Sequence, residues 1–107
     1  MNIESINVTE LKQMIDNKEE FELIDVREED EYEICSIHRS QLIPLSVFQD
    51  RYQTLDENKE YIIHCKMGGR SARVCEFLMA NGYKNVKNLE GGILAWAEEI
   101  DPSLDTY

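Results

Sequence analysis

A short loop in the second half of the chain combines the residue types that a reactive thiol needs. Glycines tolerate the positive φ values that turn backbone N–H groups toward one point, and a following helix adds its positive dipole end. A thiol held there should have a lowered pKa and be nucleophilic at neutral pH. The sequence therefore predicts an anion-binding loop with Cys65 as its nucleophile, made of Cys65, Lys66, Met67, Gly68, Gly69, Arg70 and Ser71.

The same loop has a simpler interpretation. A buried cysteine at the end of a strand, followed by an ordinary glycine turn, would explain Cys65 and the two glycines without any chemistry. The two cationic side chains, Lys66 and Arg70, and the helix that begins after the glycines favour the reactive thiol, because each stabilises a thiolate.

Alternating strands and helices along the chain must position this loop. Residues 21–26 and 61–65 are apolar runs typical of strands covered on both faces. Residues 85–89 and 41–45 predict two further strands, with Pro44 placing the latter near an edge or an end. Residues 6–8 indicate an additional edge strand.

Three segments show helical spacing of apolar residues. The first contains Leu11, Met14 and Ile15, with Thr9 as its predicted cap. The second spans residues 72–79 and closes at Asn81, and the third runs from Ile93 toward Pro102. Alternating strands and helices predict an α/β fold with a mostly parallel sheet of about five strands between helical layers. In such folds the functional site lies beyond the carboxyl ends of the strands, where the Cys65 loop is expected.

Charge and cysteine content exclude several classes of function. The 107 residues include 11 basic and 22 acidic side chains, a net charge of −11, which argues against nucleic acid or an anionic membrane as partner. Within this acidic chain, residues 65–89 carry five basic residues and only one acid, a net charge of +4. Three cysteines, without a recognisable signal peptide or a membrane-spanning apolar run, indicate thiols of a cytoplasmic protein.

Three segments together resemble a rhodanese-like sulfurtransferase domain over nearly the whole chain, taken as one domain of residues 1–107. They are Asp25-Val26-Arg27 with the acidic residues 28–33, the loop of residues 65–71, and Leu89-Glu90-Gly91-Gly92-Ile93-Leu94-Ala95-Trp96. A finer similarity, carried by residues 42–45 and 64–66, is to rhodanese domains fused behind ThiF-like adenylyltransferases of molybdopterin or thiamine sulfur transfer.

The resemblance implies a rhodanese-like three-layer sandwich and a chemistry. Cys65 would accept a sulfane sulfur as a persulfide and pass it to a nucleophile, and the loop amides would stabilise the anion. No metal or organic cofactor is implied. The implied donors are thiosulfate or a persulfide-bearing protein, and the acceptor is either cyanide in vitro or a partner protein of a sulfur relay.

Two comparisons with the family refine this hypothesis. Phosphatase relatives of the fold have a loop one residue longer, whereas four residues separate Cys65 from Arg70 here, so sulfur transfer is favoured over phosphate hydrolysis. Where the family usually reads Gly-His-Ile-Pro-Gly-Ala, this chain has Cys-Ser-Ile-His-Arg-Ser at residues 35–40. Both glycines are absent from a turn expected near the site.

The remaining candidates have mainly structural interpretations. Asp25 and Arg27 are either a functional pair or a structural one, in which Arg27 pairs with an acid such as Glu31 or Glu90. Cys35 and Cys75 are predicted to be buried, with a resolving thiol at Cys35 as the alternative.

His64, Trp96 and the acidic residues 28–33 also have structural interpretations. His64 should point to the face of its strand opposite Cys65, and Trp96 should lie in the core. The acidic residues 28–33 are either a solvated face or a docking site for a basic protein.

Overall fold

A single parallel sheet organises the computed structural model, which describes residues 2–107. Its strands lie in the order β1-β5-β4-β2-β3, and every pairing is parallel. They span β1 Glu4–Ile6, β2 Glu22–Asp25, β3 Ser40–Leu42, β4 Tyr61–His64 and β5 Val86–Leu89. The predicted α/β fold with about five mostly parallel strands is confirmed. The central strand, β4, leads directly into Cys65.

Helices cover both faces of the sheet. They are α1 Val8–Asp16, α2 Glu29–Ile34, α3 Phe48–Arg51, α4 Gly69–Ala80 and α5 Gly92–Glu99, with 3₁₀ turns at Leu45–Val47 and Tyr52–Thr54. One core packs Phe48, Val74 and Leu78 against one face, and the other packs Leu11 and Trp96 against the opposite face. No helix among residues 2–107 is long and apolar enough to cross a membrane.

The first strand and helix lie slightly earlier than the sequence predicted. The edge strand is Glu4–Ile6 rather than residues 6–8, and Val8 already belongs to α1. Asn7, not Thr9, caps the helix: its side chain accepts the Glu10 N–H at 2.8 Å, and the Glu10 carboxylate accepts the Asn7 N–H at 3.1 Å. This reciprocal pair satisfies two N–H groups that would otherwise lack partners.

The acidic residues 28–33 form most of a helix that apolar periodicity did not reveal. α2 spans Glu29–Ile34 and has no buried residue, so it shows no apolar stripe. The strand predicted at residues 41–45 is shorter than expected. It is β3, which ends at Leu42, and the chain forms 3₁₀ and α-helical turns after Pro44.

Candidate functional site

Cys65 lies at the carboxyl end of the central strand, with its sulfur directed at the start of α4. The side chain is buried, and its Sγ accepts the N–H of Gly68 at 3.1 Å and the N–H of Ser71 at 3.4 Å. Gly68 has a φ of +116°, which a side chain would strain, whereas Gly69 is already helical. One glycine therefore makes the turn, and the other opens the helix.

The surroundings of Cys65 favour its anion. Burial raises the pKa of this thiol, but hydrogen bonds from Ser71, Gly68 and Met67 outweigh it, so that the pKa lies below its ordinary value. Cys75 is equally buried, and burial raises its pKa to about 12. The two thiols differ in pKa because only Cys65 receives hydrogen bonds from the loop donors Ser71, Gly68 and Met67.

The first residues of α5 form hydrogen bonds to the backbone of the Cys65 loop. The N–H groups of Ile93 and Leu94 donate to the carbonyl oxygens of Cys65 and Lys66 at 3.0 and 3.2 Å. Gly92 makes this approach possible, since a Cβ there would lie 2.5 Å from the Cys65 carbonyl oxygen. The segment at residues 89–96 that carried part of the family resemblance is thus a support for the loop.

Asn88 is a site residue that sequence reasoning missed. It lies in β5, where its Nδ2 donates to the Gly68 carbonyl at 3.2 Å and its Oδ1 accepts the Ser71 hydroxyl. Both contacts brace the turn beside the Cys65 sulfur. The available signal was an amide side chain one residue before the end of a predicted strand, since a polar group there needs hydrogen-bond partners.

Asp25 and Arg27 form a fully buried ion pair. The Arg27 guanidinium donates to both carboxylate oxygens, at 2.6 Å for the shortest contact, and to the carbonyls of Glu31 and Cys35 at 3.2 and 2.7 Å. Burial opposes the charge on Arg27, yet Asp25 and Tyr107 hold its pKa above the ordinary value. The carboxylate that pairs with Arg27 is that of Asp25, so the prediction of Glu31 or Glu90 as its partner is wrong.

The two loop cations are each in contact with another side chain. Arg70 donates to both carboxylate oxygens of Glu31, at 2.7 and 2.9 Å, and this ion pair lowers the pKa of Glu31 to about 2. The Lys66 ammonium lies 4.3 Å from the centre of the Tyr107 ring. Tyr107 was not among the residues that the sequence singled out, since nothing near it marks it as part of a site.

The other side chains considered from sequence lie away from the sulfur or in the core. His64 is buried, with its Nε2 3.6 Å from an Asp25 carboxylate oxygen. Cys35, Cys75 and Trp96 are buried, whereas Met67 is 68% exposed at the outer side of the loop.

The segment that departs from the family pattern folds without its glycines. Cys35 has a φ of −161°, which is extended backbone open to any residue. Arg39 does adopt a positive φ of +66°, and its guanidinium lies 4.8 Å from the centre of the Phe21 ring. A cation–π contact of this kind offsets part of the strain at Arg39.

Fold and site together define an α/β domain in which the N–H groups of Gly68 and Ser71 donate to a buried cysteine sulfur at the carboxyl edge of the sheet. A family model, described as the Rhodanese-like domain, matches residues 7–99. The chain belongs to this family, as its motifs indicated.

Relatives and solved structures agree with this assignment. YtwF of Bacillus subtilis (strain 168), which bears a sulfurtransferase name, is 40% identical over 95% of this chain and 98% of its own length. A rhodanese-like domain protein from Staphylococcus aureus has a TM-score of 0.85 at 34% identity, covering 98% of this chain and 99% of that one.

The finer similarity to adenylyltransferase-fused domains is also present. The adenylyltransferase and sulfurtransferase MOCS3-2 of Zea mays is 32% identical over 97% of this chain, which spans only 23% of that protein. Family membership and the sulfurtransferase names of these relatives support sulfur transfer as the general function.

Proposed function

We propose that this protein is a rhodanese-type sulfurtransferase that carries a sulfane sulfur as a persulfide on Cys65. The observation that carries the proposal is the pair of N–H groups, from Gly68 and Ser71, that donate to the Cys65 sulfur at the start of α4. Donors fixed at this point stabilise an anionic sulfur without rearranging. The same donors lower the pKa of Cys65, which keeps its nucleophilic form accessible at neutral pH.

The proposed cycle has two displacements at sulfur. The Cys65 thiolate attacks the outer sulfur of a donor, a new S–S bond forms, and the donor's own bond to that sulfur breaks with its electron pair leaving on the carrier. A nucleophilic acceptor then attacks the outer sulfur of the persulfide, and the Cys65 thiolate leaves. No metal, redox cofactor or external oxidant enters this cycle.

The proposal predicts a defined change in mass. A sulfane donor such as polysulfide or thiosulfate should add one sulfur, about 32 Da, to the protein, and a thiol reductant should remove it. Cys65→Ser should abolish the gain in intact mass. The matched variants Cys35→Ser and Cys75→Ser should retain it, and reducible sulfur uptake by the Cys65→Ser protein would contradict the assignment.

A second candidate is a partner-specific sulfur carrier in a molybdopterin or thiamine sulfur relay. It is favoured by the similarity to the adenylyltransferase-fused sulfurtransferase of Zea mays, of which this chain matches about a quarter. Its donor and acceptor would both be proteins. Turnover with free small-molecule donors, thiosulfate and an organic persulfide, and with cyanide as acceptor distinguishes the two: a free enzyme cycles repeatedly with at least one donor, whereas a dedicated carrier does not.

A further inference from the structure

Arg70, the loop cation on α4, is matched by a counter-charge from α2. Its guanidinium makes two parallel hydrogen bonds to Glu31, the geometry in which an arginine binds a carboxylate most strongly. The Glu31 side chain is only 17% exposed and that of Arg70 is 32% exposed, so solvent screens the pair weakly. Arg70 therefore contributes little free positive charge to the entrance of the Cys65 site.

Glu31 is itself held in place by two further donors. Its Oε1 accepts the Glu28 N–H at 3.0 Å, and its Oε2 accepts the Tyr107 hydroxyl at 2.7 Å. The Tyr107 hydroxyl in turn accepts from the buried Arg27 at 3.1 Å, which fixes the direction of its proton toward Glu31. The ion pair is thus part of a connected network rather than a mobile surface contact.

Sulfur donors differ in the negative charge that their leaving group carries away from the transferred sulfur. With thiosulfate, the Cys65 thiolate attacks the outer sulfur, the S–S bond breaks, and sulfite leaves with two negative charges while the persulfide anion remains on Cys65. With an organic persulfide R–S–SH, the same attack forms Cys65–S–SH and releases one thiolate, R–S⁻, with the proton staying on the transferred sulfur. The first reaction therefore gains more from positive charge at the entrance than the second does.

We propose that Glu31, supported by Tyr107, is a specificity-determining residue that neutralises Arg70 and makes organic persulfides, rather than thiosulfate, the preferred sulfur donors of Cys65. The inference rests on the proposed function and names its donor class. Glu31 acts on Arg70 alone, since Lys66, the other loop cation, lies 4.3 Å from the centre of the Tyr107 ring.

The test compares two donors on the same reduced protein. Rates of persulfide formation are measured by time-resolved intact mass with thiosulfate and with glutathione persulfide, and the thiosulfate-to-persulfide rate ratio is the readout. Wild-type protein should give a ratio well below one. Glu31→Gln, which removes the charge while retaining an acceptor for Arg70, should raise the ratio about tenfold, as expected for removing one nearby counter-charge.

Two further variants separate specificity from structure. Glu29→Gln removes the same charge from the exposed side of α2 and should change the ratio by less than about twofold. Tyr107→Phe keeps the ring but removes the hydroxyl that holds Glu31, and should raise the ratio by a smaller amount than Glu31→Gln. If Glu31→Gln does not fold, the rate ratio of Tyr107→Phe still tests the proposal.

The possible outcomes are distinct. A rise in the ratio for Glu31→Gln and Tyr107→Phe, but not Glu29→Gln, supports the proposal. A wild-type ratio near one, or a Glu31→Gln variant that slows both donors equally, would overturn it while leaving the persulfide on Cys65 intact. Loading from neither donor would overturn the proposed function and this inference together.

Discussion

At the scale of single residues, burial alone does not decide what a thiol can do here. Cys65 and Cys75 are both almost fully inaccessible, yet the pKa of Cys65 is lowered and that of Cys75 is raised to about 12. Both belong to the same apolar core, but Cys65 also receives N–H donors at the start of a helix. Local hydrogen bonding, not exposure, therefore sets the difference in pKa between these two thiols.

This difference predicts the acidity of Cys65. In a Cys35→Ser/Cys75→Ser variant, the rate of iodoacetamide alkylation plotted against pH should show its inflection below the value of about 8.5 for a free thiol, because the loop donors favour the thiolate. A Cys35→Ser/Cys65→Ser variant, which retains only Cys75, should stay unreactive across the same range. An inflection of Cys65 at or above 8.5 would mean that the donors do not act on its sulfur.

At the scale of elements, the site depends on two helices that approach the loop from different sides. α4 directs its first N–H groups at the Cys65 sulfur, and α5 directs its first N–H groups at the carbonyl oxygens of Cys65 and Lys66. The loop is therefore held by donors on both its side-chain and its backbone acceptors. Gly68, which precedes α4 with a φ of +116°, and Gly92, the first residue of α5, allow this approach.

A pair of glycine substitutions tests this arrangement. Gly92→Ala should destabilise the fold by about 2 kcal/mol or more, since its φ is +55° and the added Cβ would lie 2.4 Å from the Lys66 carbonyl oxygen. Gly69→Ala, with no atom within 4 Å of its added Cβ, should be neutral or stabilise by up to about 1 kcal/mol. Urea denaturation measures both, and equal midpoints for the two variants would contradict this account.

At the scale of the whole molecule, buried ionisable groups couple stability to pH. His64 is fully buried, and burial lowers its pKa even though the nearby Asp25 carboxylate favours the charged form. In the unfolded chain the same imidazole titrates near pH 6.5. Below that pH the unfolded chain binds a proton that the folded protein does not, so the free energy of unfolding falls as the pH decreases.

His64→Leu should therefore flatten the pH dependence of stability between about pH 7 and pH 5, measured as the urea midpoint. His38→Leu is the matched control, because His38 is exposed, and it should leave the slope unchanged. The contribution of Glu31 is lost in a separate window, from its ordinary 4.5 down to about 2, so it does not interfere. An unchanged slope in His64→Leu would show that His64 is not the group responsible.

Several features could be predicted from the sequence because they depend on nearby residues. The apolar runs of β2 and β4 and the spacing in α4 and α5 reflect periodicities of a few residues, and the Cys65 loop lies within seven consecutive positions. The bounds of α1 and β1 were missed by one or two residues, and α2 was missed because its stability does not rest on an apolar stripe.

The partners of the charged side chains were decided only by the tertiary structure. Arg70 meets Glu31 across 39 residues, and Tyr107 meets Glu31 across 76. In the sequence, Glu31 is one of several acids of residues 28–33 with nothing to distinguish it, and either Glu31 or Glu90 was an equally good partner for Arg27. Ion pairs between distant segments depend on which helix packs beside which loop, a choice made by burial of the whole core rather than by the pairing residues themselves.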